Sequence, residues 1–151
     1  MPMSSTEQSF NEAIWGKPRH RVVLCTTLRD FDEVAPGMSM SENCQLQELF
    51  LRCVARQTHP DYRLVITTFG EKNDRTVRQA VDAIFEDPAQ REKVILVRED
   101  LGGDYRFSMT SVLLNGIEEA RKTRGSILVW CNGDVVLQGN LFETLAKLYA
   151  D

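Results

Sequence analysis

Residues 126–137 read SILVWCNGDVVL, so that a mostly apolar run meets Asn132-Gly133-Asp134 before the chain becomes apolar again. A nearly continuous apolar run of this length is typical of a strand that is covered on both faces. The carboxylate that follows it has two interpretations. Asn-Gly between apolar runs predicts a type I′ hairpin turn with positive φ at both residues, and Asp134 then only flanks the turn. Alternatively, the strand tip presents Asp134 to a metal ion and a diphosphate.

Three further apolar runs have the same character, and amphipathic helical stripes lie between and after all four. The other runs are RVVLCTT (21–27), RLVITT (63–68) and VILVR (94–98). The apolar residues of each stripe recur at helical spacing, which predicts one buried face per helix. The order βαβαβαβα predicts an α/β fold with three layers, a mainly parallel sheet and alternating helices. The stripes are Leu46-Leu49-Phe50-Cys53-Val54, Val77-Ala80-Val81-Ile84-Phe85, Met109-Val112-Leu113-Ile117-Ala120 and Leu141-Phe142-Leu145-Leu148-Tyr149.

Boundary residues agree with this order. A Ser, Asp or Asn before an apolar stripe predicts a helix N-cap, and a Gly or a Pro predicts a helix end. The predicted N-caps are Asp74, Ser108 and Asn140, and the predicted ends are Asp87-Pro88 and Gly125.

Ligands of doubly wound sheets bind beyond the carboxyl ends of the strands. The polar residues at those ends are therefore the candidates for a site. They are Thr26-Thr27, Thr67-Thr68, Arg98-Glu99-Asp100 and Asn132-Gly133-Asp134. The first strand is followed by the long segment 29–42, RDFDEVAPGMSMSE, and loops of this length often bind ligands.

The totals predict one domain of ordinary globular composition. The chain has 151 residues, of which 42% are hydrophobic, and its net charge of −4 argues against a nucleic-acid-binding surface. No apolar run approaches the roughly 20 residues of a transmembrane segment. The four cysteines lack C-x-x-C spacing, which indicates free thiols and a reducing, cytoplasmic location. We expect residues 1–20 to be a poorly ordered leader, anchored by Phe10, Ile14 and Trp15, and residues 21–151 to form the domain.

Two longer stretches resemble inverting family-two glycosyltransferases with the GT-A fold. In ELFLRCVARQTHPDYRLVITT (48–68), a helix that ends near Gln57 is followed by a Pro-containing turn and the second strand. In NGIEEARKTRGSILVWCNGDVVLQGNLFETL (115–145), a helix leads through a strand into Asn132-x-Asp134, where that family has Asp-x-Asp. The resemblance covers residues 21–150 and implies a Rossmann-like GT-A nucleotide-sugar-binding domain.

The resemblance also implies a function. A GT-A donor domain binds a nucleoside-diphosphate sugar, whose sugar passes to an acceptor, unknown in this case, in a hexosyltransferase-type reaction. The diphosphate that leaves is neutralised by Mg²⁺ or Mn²⁺, and its oxygens supply part of the coordination, so one or two protein carboxylates suffice. Asp134 is the expected metal ligand. The residues expected to bind the nucleotide sugar are Thr26, Thr27, Arg29, Asp100, Asn132 and Asp134.

Several departures keep other functions open. Thr67-Thr68-Phe69-Gly70 stands where the family's second strand ends in Asp, Asn132 replaces the first Asp of the motif, and Leu114 precedes Asn115 where Arg is usual. The chain ends one helix after the motif, which implies that the acceptor-binding half and its general base are absent and that the exposed edge favours self-association. A non-catalytic nucleotide-binding or protein-interaction module, and an unrelated doubly wound domain, are the alternatives.

The candidate residues also have structural interpretations. The hydroxyl of Thr26 could satisfy the backbone of its own strand, and Arg29 could form a surface ion pair with Asp30. Asn115 could be polar helix surface. Gly102-Gly103 could be a plain loop and Arg106 an exposed arginine, rather than groups that contact a ligand.

Overall fold

A computed structural model describes residues 2–15, 20–34, 36–100 and 108–150, apart from the side chains of residues 11, 12, 14 and 15. The predictions for Gly102-Gly103, Arg106 and the side chains of Ile14 and Trp15 therefore lie outside the described residues. The described residues form four strands: β1 (Val22–Thr27), β2 (Tyr62–Phe69), β3 (Val94–Glu99) and β4 (Ile127–Trp130). All pair in parallel, in the order β3-β2-β1-β4, which confirms the predicted parallel sheet.

Helices connect the strands as predicted, because parallel neighbours require a crossover between one strand and the next. The helices are α1 (Ser5–Trp15), α2 (Glu42–Ala55), α3 (Gly70–Ile84), α4 (Pro88–Arg91), α5 (Met109–Ala120) and α6 (Leu141–Ala150). α1 lies within the segment predicted to be a leader, and its Phe10 is 65% exposed, so Phe10 does not anchor it. No helix in the described ranges is long and apolar enough to cross a membrane.

Helices α2, α3 and α6 pack on one face of the sheet, and α5 packs on the other. Side chains of α2, α3 and α6, among them Phe142 of α6, join one apolar cluster with alternate strand residues such as Leu24 and Leu64. On the opposite face, Val112 of α5 packs with Val23 and the other alternate residues. Successive strand residues point to opposite faces, so both faces of this sheet are buried. The fold is thus a three-layer, Rossmann-like α/β fold.

The sheet order creates a switch point between β1 and β4. From β1 the chain builds outward through β2 and β3, and then crosses to the other side of β1 to form β4. The carboxyl ends of β1 and β4 are therefore neighbours at the point where the strand order reverses, which is where such sheets bind ligands. Thr26-Thr27 and Asn132-Gly133-Asp134 lie at those two ends.

The helix boundaries are partly as predicted. Ser108 caps α5, where its hydroxyl accepts a hydrogen bond from the Ser111 N–H at 3.3 Å. The N-cap prediction for Asp74 is wrong, because α3 already begins at Gly70, whose φ of 81° suits glycine. Asp87 caps the short α4 through the Ala89 N–H instead of ending α3.

The predicted apolar stripes are right for α3 and partly wrong for α2, α5 and α6. Leu46 and Leu49 of α2 are 43% and 42% exposed, and Leu51 is buried in their place. The buried face of α2 includes a polar residue that an apolar pattern cannot identify. That face comprises Cys44, Gln47, Phe50, Leu51 and Val54. The stripe residues that are exposed in α5 and α6 are Met109, Leu113, Ile117, Leu148 and Tyr149.

Candidate functional site

A cavity of about 330 Å³ lies at the carboxyl ends of β1 and β4, at the switch point of the sheet. Five of the six residues predicted to bind a nucleotide sugar line it, although they come from two segments about a hundred residues apart. The lining residues are Thr26, Thr27, Leu28, Arg29, Asn43, Gln47, Met109, Trp130, Cys131, Asn132, Gly133 and Asp134.

Asp100 is the predicted site residue that the structure leaves elsewhere. It follows β3, and β2 and β1 lie between β3 and β4 in the sheet. Its carboxylate forms an ion pair with Arg98 at 2.7 Å, and its side chain is 61% exposed. Sequence position alone could not separate it from the others, because every parallel strand ends at the same edge of the sheet.

The hairpin interpretation of Asn132-Gly133 is wrong. Within the described residues, no residue other than glycine has a positive φ, and the glycines with positive φ are Gly37, Gly70 and Gly125. A type I′ turn requires positive φ at both central residues. Residues 131–140 form no strand, and this irregular segment leads to α6, which begins at Leu141. Asn132-Gly133-Asp134 is therefore an extension of a strand tip into a loop.

Close packing, rather than backbone conformation, requires a glycine at position 133. A Cβ atom there would overlap Leu28 Cδ2 and would lie 3.0 Å from the carbonyl oxygen of Thr27. Leu28 is buried directly beyond β1 and cannot easily move. Gly133 thus allows the loop after β4 to lie against the end of β1, with the exposed Asn132 and Asp134 on either side of the contact.

The hydroxyl groups of Thr26 and Thr27 hold the sheet ends together. Thr26 Oγ1 donates to the carbonyl oxygen of Cys131 at 2.7 Å, and Thr27 Oγ1 donates to that of Thr67 at 2.8 Å. Thr26 is fully buried. Both hydroxyl protons are therefore committed to backbone carbonyls, so these residues position the cavity wall and could offer a ligand only acceptor lone pairs.

Gln47 of α2 fixes the backbone of Arg29, and no sequence argument had identified it. Its Oε1 accepts from the Arg29 N–H at 2.6 Å, and its Nε2 donates to the Arg29 carbonyl at 3.2 Å. Gln47 is only 2% exposed. The buried amide of Gln47 therefore satisfies both the N–H and the carbonyl group of Arg29. Because these two hydrogen bonds fix the backbone of Arg29, they also set the direction in which its exposed side chain points.

Side chains of α2 and α3 satisfy the next residues of the same loop. Asn73 Nδ2 donates to the Leu28 carbonyl at 2.9 Å, Thr76 Oγ1 accepts from the Phe31 N–H at 3.2 Å, and Cys44 Sγ accepts from the Asp32 N–H at 3.3 Å. The start of the long loop is thus held rigidly on the helices. The sequence does contain a signal for these contacts, since residues that can form hydrogen bonds occur on helix faces that also carry the buried apolar residues. They are Cys44, Gln47, Asn73 and Thr76.

The second strand offers no carboxylate to the cavity. Asp74, near its end, accepts from Thr68 Oγ1 at 2.8 Å and pairs with Arg78 at 3.2 Å. Asn115, which matches an Asn of the family motif, donates to Thr67 Oγ1 at 3.0 Å and to Glu99. Asn115 therefore ties α5 to β2 and β3.

The charged side chains that line the cavity balance one another in number. Arg29 and Asp134 bring one positive and one negative charge, and among the described residues Asp134 is the only carboxylate that lines the cavity. The described residues also contain no group of three or more His, Cys, Asp and Glu side chains that could hold a metal by themselves. The oxygen atoms of the lining that could coordinate a hard divalent cation include those of the Asp134 carboxylate and the Asn132 amide.

Cys131 lines the cavity with a thiol whose raised pKa disfavours a nucleophilic role. Burial, with smaller effects of Cys25 and Asp134, raises its pKa to about 11. The thiolate is the reactive form, so the side chain is almost entirely inactive near neutral pH. All four cysteines are free, as the sequence predicted.

A larger cavity, of about 680 Å³, lies between α2 and α3 under the long loop. Its lining is formed by helix sides and loop residues such as Met40, Ala80 and Ile84, and it contains none of the predicted site residues. We regard the smaller cavity as the candidate site, because it lies at the carboxyl ends of the strands and collects polar side chains from both.

Comparisons with known proteins give no relative from which a family or an activity could be transferred. The chain matches no protein-family model, and no curated protein is significantly similar to it.

Proposed function

We propose that the switch-point cavity binds the diphosphate of a nucleoside-diphosphate sugar, as the donor domain of a GT-A-type glycosyltransferase does. The observation that carries the proposal is the convergence of Thr26, Thr27, Arg29, Asn132 and Asp134 in one cavity at the carboxyl ends of β1 and β4. The sequence alone predicts these five residues as members of a binding site. Their convergence in a parallel sheet, at the place where such sheets bind ligands, supports a binding site.

In this proposal Asp134 and Asn132 hold Mg²⁺ or Mn²⁺ against the diphosphate, and Arg29 offsets the charge of its oxygens. The metal would stabilise the diphosphate as it leaves the sugar. The N-terminus of α5 lies beside the cavity, where Met109 is a lining residue, and the positive end of the helix dipole favours a negative charge there. The buried partners Thr26 and Gln47 hold the two loops at a fixed separation.

A second candidate function is nucleotide binding without sugar transfer. It is favoured by the single carboxylate of the lining, which leaves no second acidic side chain to act as a general base in the described cavity. Both candidates predict metal-dependent binding of a diphosphate. They differ in whether the chain transfers or hydrolyses the sugar of a bound donor.

The test is a calorimetric titration of the purified chain with UDP, GDP and dTDP, with and without Mn²⁺. We expect at least one diphosphate to bind in the presence of the metal, and Asp134→Ala to abolish that binding. Asp100→Ala is the matched control, because it removes a carboxylate from another strand end, outside the cavity, and should leave the affinity unchanged. Circular dichroism should show that both variants remain folded.

The proposal fails if the folded wild-type chain binds none of the three diphosphates. It also fails if Asp100→Ala weakens binding and Asp134→Ala does not, since the ligand would then lie at the β3 edge. If binding is found, incubation with UDP-sugars and detection of free UDP separate a transferase or hydrolase from a binding module.

A further inference from the structure

Trp130, the last residue of β4, is 45% exposed and lines the candidate cavity. A half-exposed indole is costly, because a tryptophan side chain gains more from burial than almost any other. Among the described residues that line this cavity, the other exposed large apolar side chain is that of Met109, which is 40% exposed. The remaining lining is dominated by polar groups, so these two side chains form a separate apolar wall.

The wall lies on the α5 side of the sheet. A Cβ atom on Gly116 of α5 would lie 3.1 Å from Leu128, so Leu128 faces α5, while Val129 packs into the cluster on the opposite face. Because strand residues alternate between faces, Trp130 points to the α5 side as Leu128 does. Asn132 and Asp134 follow immediately, so the indole and the polar strand tip face one cavity.

We propose that Trp130 is the stacking platform for the nucleobase of the bound nucleotide, with Met109 completing the apolar wall. This inference rests on the proposed function and assigns the base, rather than the sugar or the phosphates, to the α5 side of the cavity. Stacking on an aromatic side chain needs only a π face and tolerates different bases, whereas the thioether of a methionine adapts to the shape of the ring.

The experiment compares UDP and GDP with inorganic pyrophosphate, which lacks a base, all in Mg²⁺. The chain has two tryptophans, so a Trp15→Phe background makes Trp130 the only indole reporter. We expect UDP and GDP to quench the fluorescence of Trp130 and pyrophosphate to leave it nearly unchanged. Calorimetry should show that Trp130→Leu weakens UDP binding by roughly 5- to 100-fold, while pyrophosphate affinity stays within twofold.

Two further variants make the test specific. Trp130→Phe keeps an aromatic face and should retain most of the affinity for UDP. Leu128→Ala removes apolar side-chain surface from the same strand and the same face of the sheet, but outside the cavity lining. This variant should leave the affinity for UDP unchanged.

Three outcomes would overturn the inference. If UDP binds but Trp130→Leu leaves its affinity unchanged, the base lies elsewhere although the proposed function stands. If Trp130→Leu weakens UDP and pyrophosphate equally, the residue supports the structure of the site and does not stack a base. If neither ligand binds the folded wild-type chain, the proposed function fails and the inference with it.

Discussion

The Oγ1 hydroxyl of Thr26 donates a hydrogen bond to the carbonyl oxygen of Cys131 at 2.7 Å and so joins the end of β1 to the loop that carries Asn132 and Asp134. Thr26→Val should lower the free energy of unfolding by about 1 kcal/mol, because it leaves a carbonyl without its partner. It should also weaken diphosphate binding, since the loop after β4 loses a fixed point. Thr26→Ser retains the hydroxyl and is the control. Urea denaturation and calorimetry measure the two effects, and equal behaviour of the Val and Ser variants would contradict this role.

Gly133→Ala should destabilise the protein by roughly 1–3 kcal/mol, the usual cost of overpacking a close contact. The cause is overlap with Leu28, since Gly133 does not have a positive φ. Gly139→Ala is a matched control, because a Cβ there would lie 3.9 Å from its nearest neighbour, the Arg56 carbonyl, and its effect should be small. In a double-mutant cycle measured by urea denaturation, Leu28→Ala should relieve part of the cost of Gly133→Ala. Simple additivity would argue against the overlap.

Gln47→Leu should free the loop after β1, because both the N–H and the carbonyl of Arg29 lose their partner. We expect a loss of stability of about 1–3 kcal/mol and faster hydrogen exchange at the Arg29 amide. Gln47→Glu keeps the acceptor and should protect that amide better than Gln47→Leu does. Gln45→Leu alters an exposed glutamine of the same helix and should leave the Arg29 amide protected. Unchanged exchange in Gln47→Leu would show that the loop is held by other contacts.

Asn132→Asp should strengthen Mn²⁺ binding in the presence of a diphosphate if the proposed site is correct. The substitution places a second carboxylate beside Asp134, and two carboxylates hold a hard divalent cation more tightly than one. Paramagnetic relaxation by Mn²⁺ provides the measurement. Asp87→Asn, which removes a carboxylate at the start of α4, should not alter metal binding. An unchanged Mn²⁺ affinity across a full titration of Asn132→Asp would count against a metal at this strand tip.

The stability of the protein should fall in alkaline solution, in part because of Cys131. Burial raises the pKa of this thiol from 9.0 to about 11, so the folded state holds the proton more tightly than the unfolded state does. The resulting stabilisation is complete below pH 9 and is lost as the pH rises toward 11. Tyr62, whose pKa burial raises to about 12, extends the decline to higher pH.

Urea midpoints between pH 8 and pH 11 test this explanation. Cys131→Ala should show a smaller decline between pH 9 and pH 11 than the wild type does. Cys53→Ala is the control for the loss of a cysteine as such, because it removes a thiol of α2 that lies outside the cavity. Identical slopes for wild type and Cys131→Ala would place the cause in other groups.

The layer architecture followed from local patterns, because each strand and helix is specified by residues that are close in sequence. The four apolar runs became the four parallel strands within one or two residues, and the polar groups at the strand ends identified five of the six candidate residues that meet in the cavity. The residue types indicate the chemistry of these groups. Their position at one edge of the sheet follows from the parallel arrangement of the strands alone.

The order of the strands in the sheet decided which strand ends lie side by side, and this order is a property of long-range packing. It separated Asp100 from the cavity and brought the end of β4 beside β1. The local sequence Asn132-Gly133 predicts a hairpin turn, but the structure has none there. The glycine is instead explained by the close approach of Leu28, which is a tertiary contact. Thus the sequence by itself determined the elements and the chemistry at their ends, while the tertiary structure decided which ends share a site, because only the folded sheet sets the distances between segments remote in the chain.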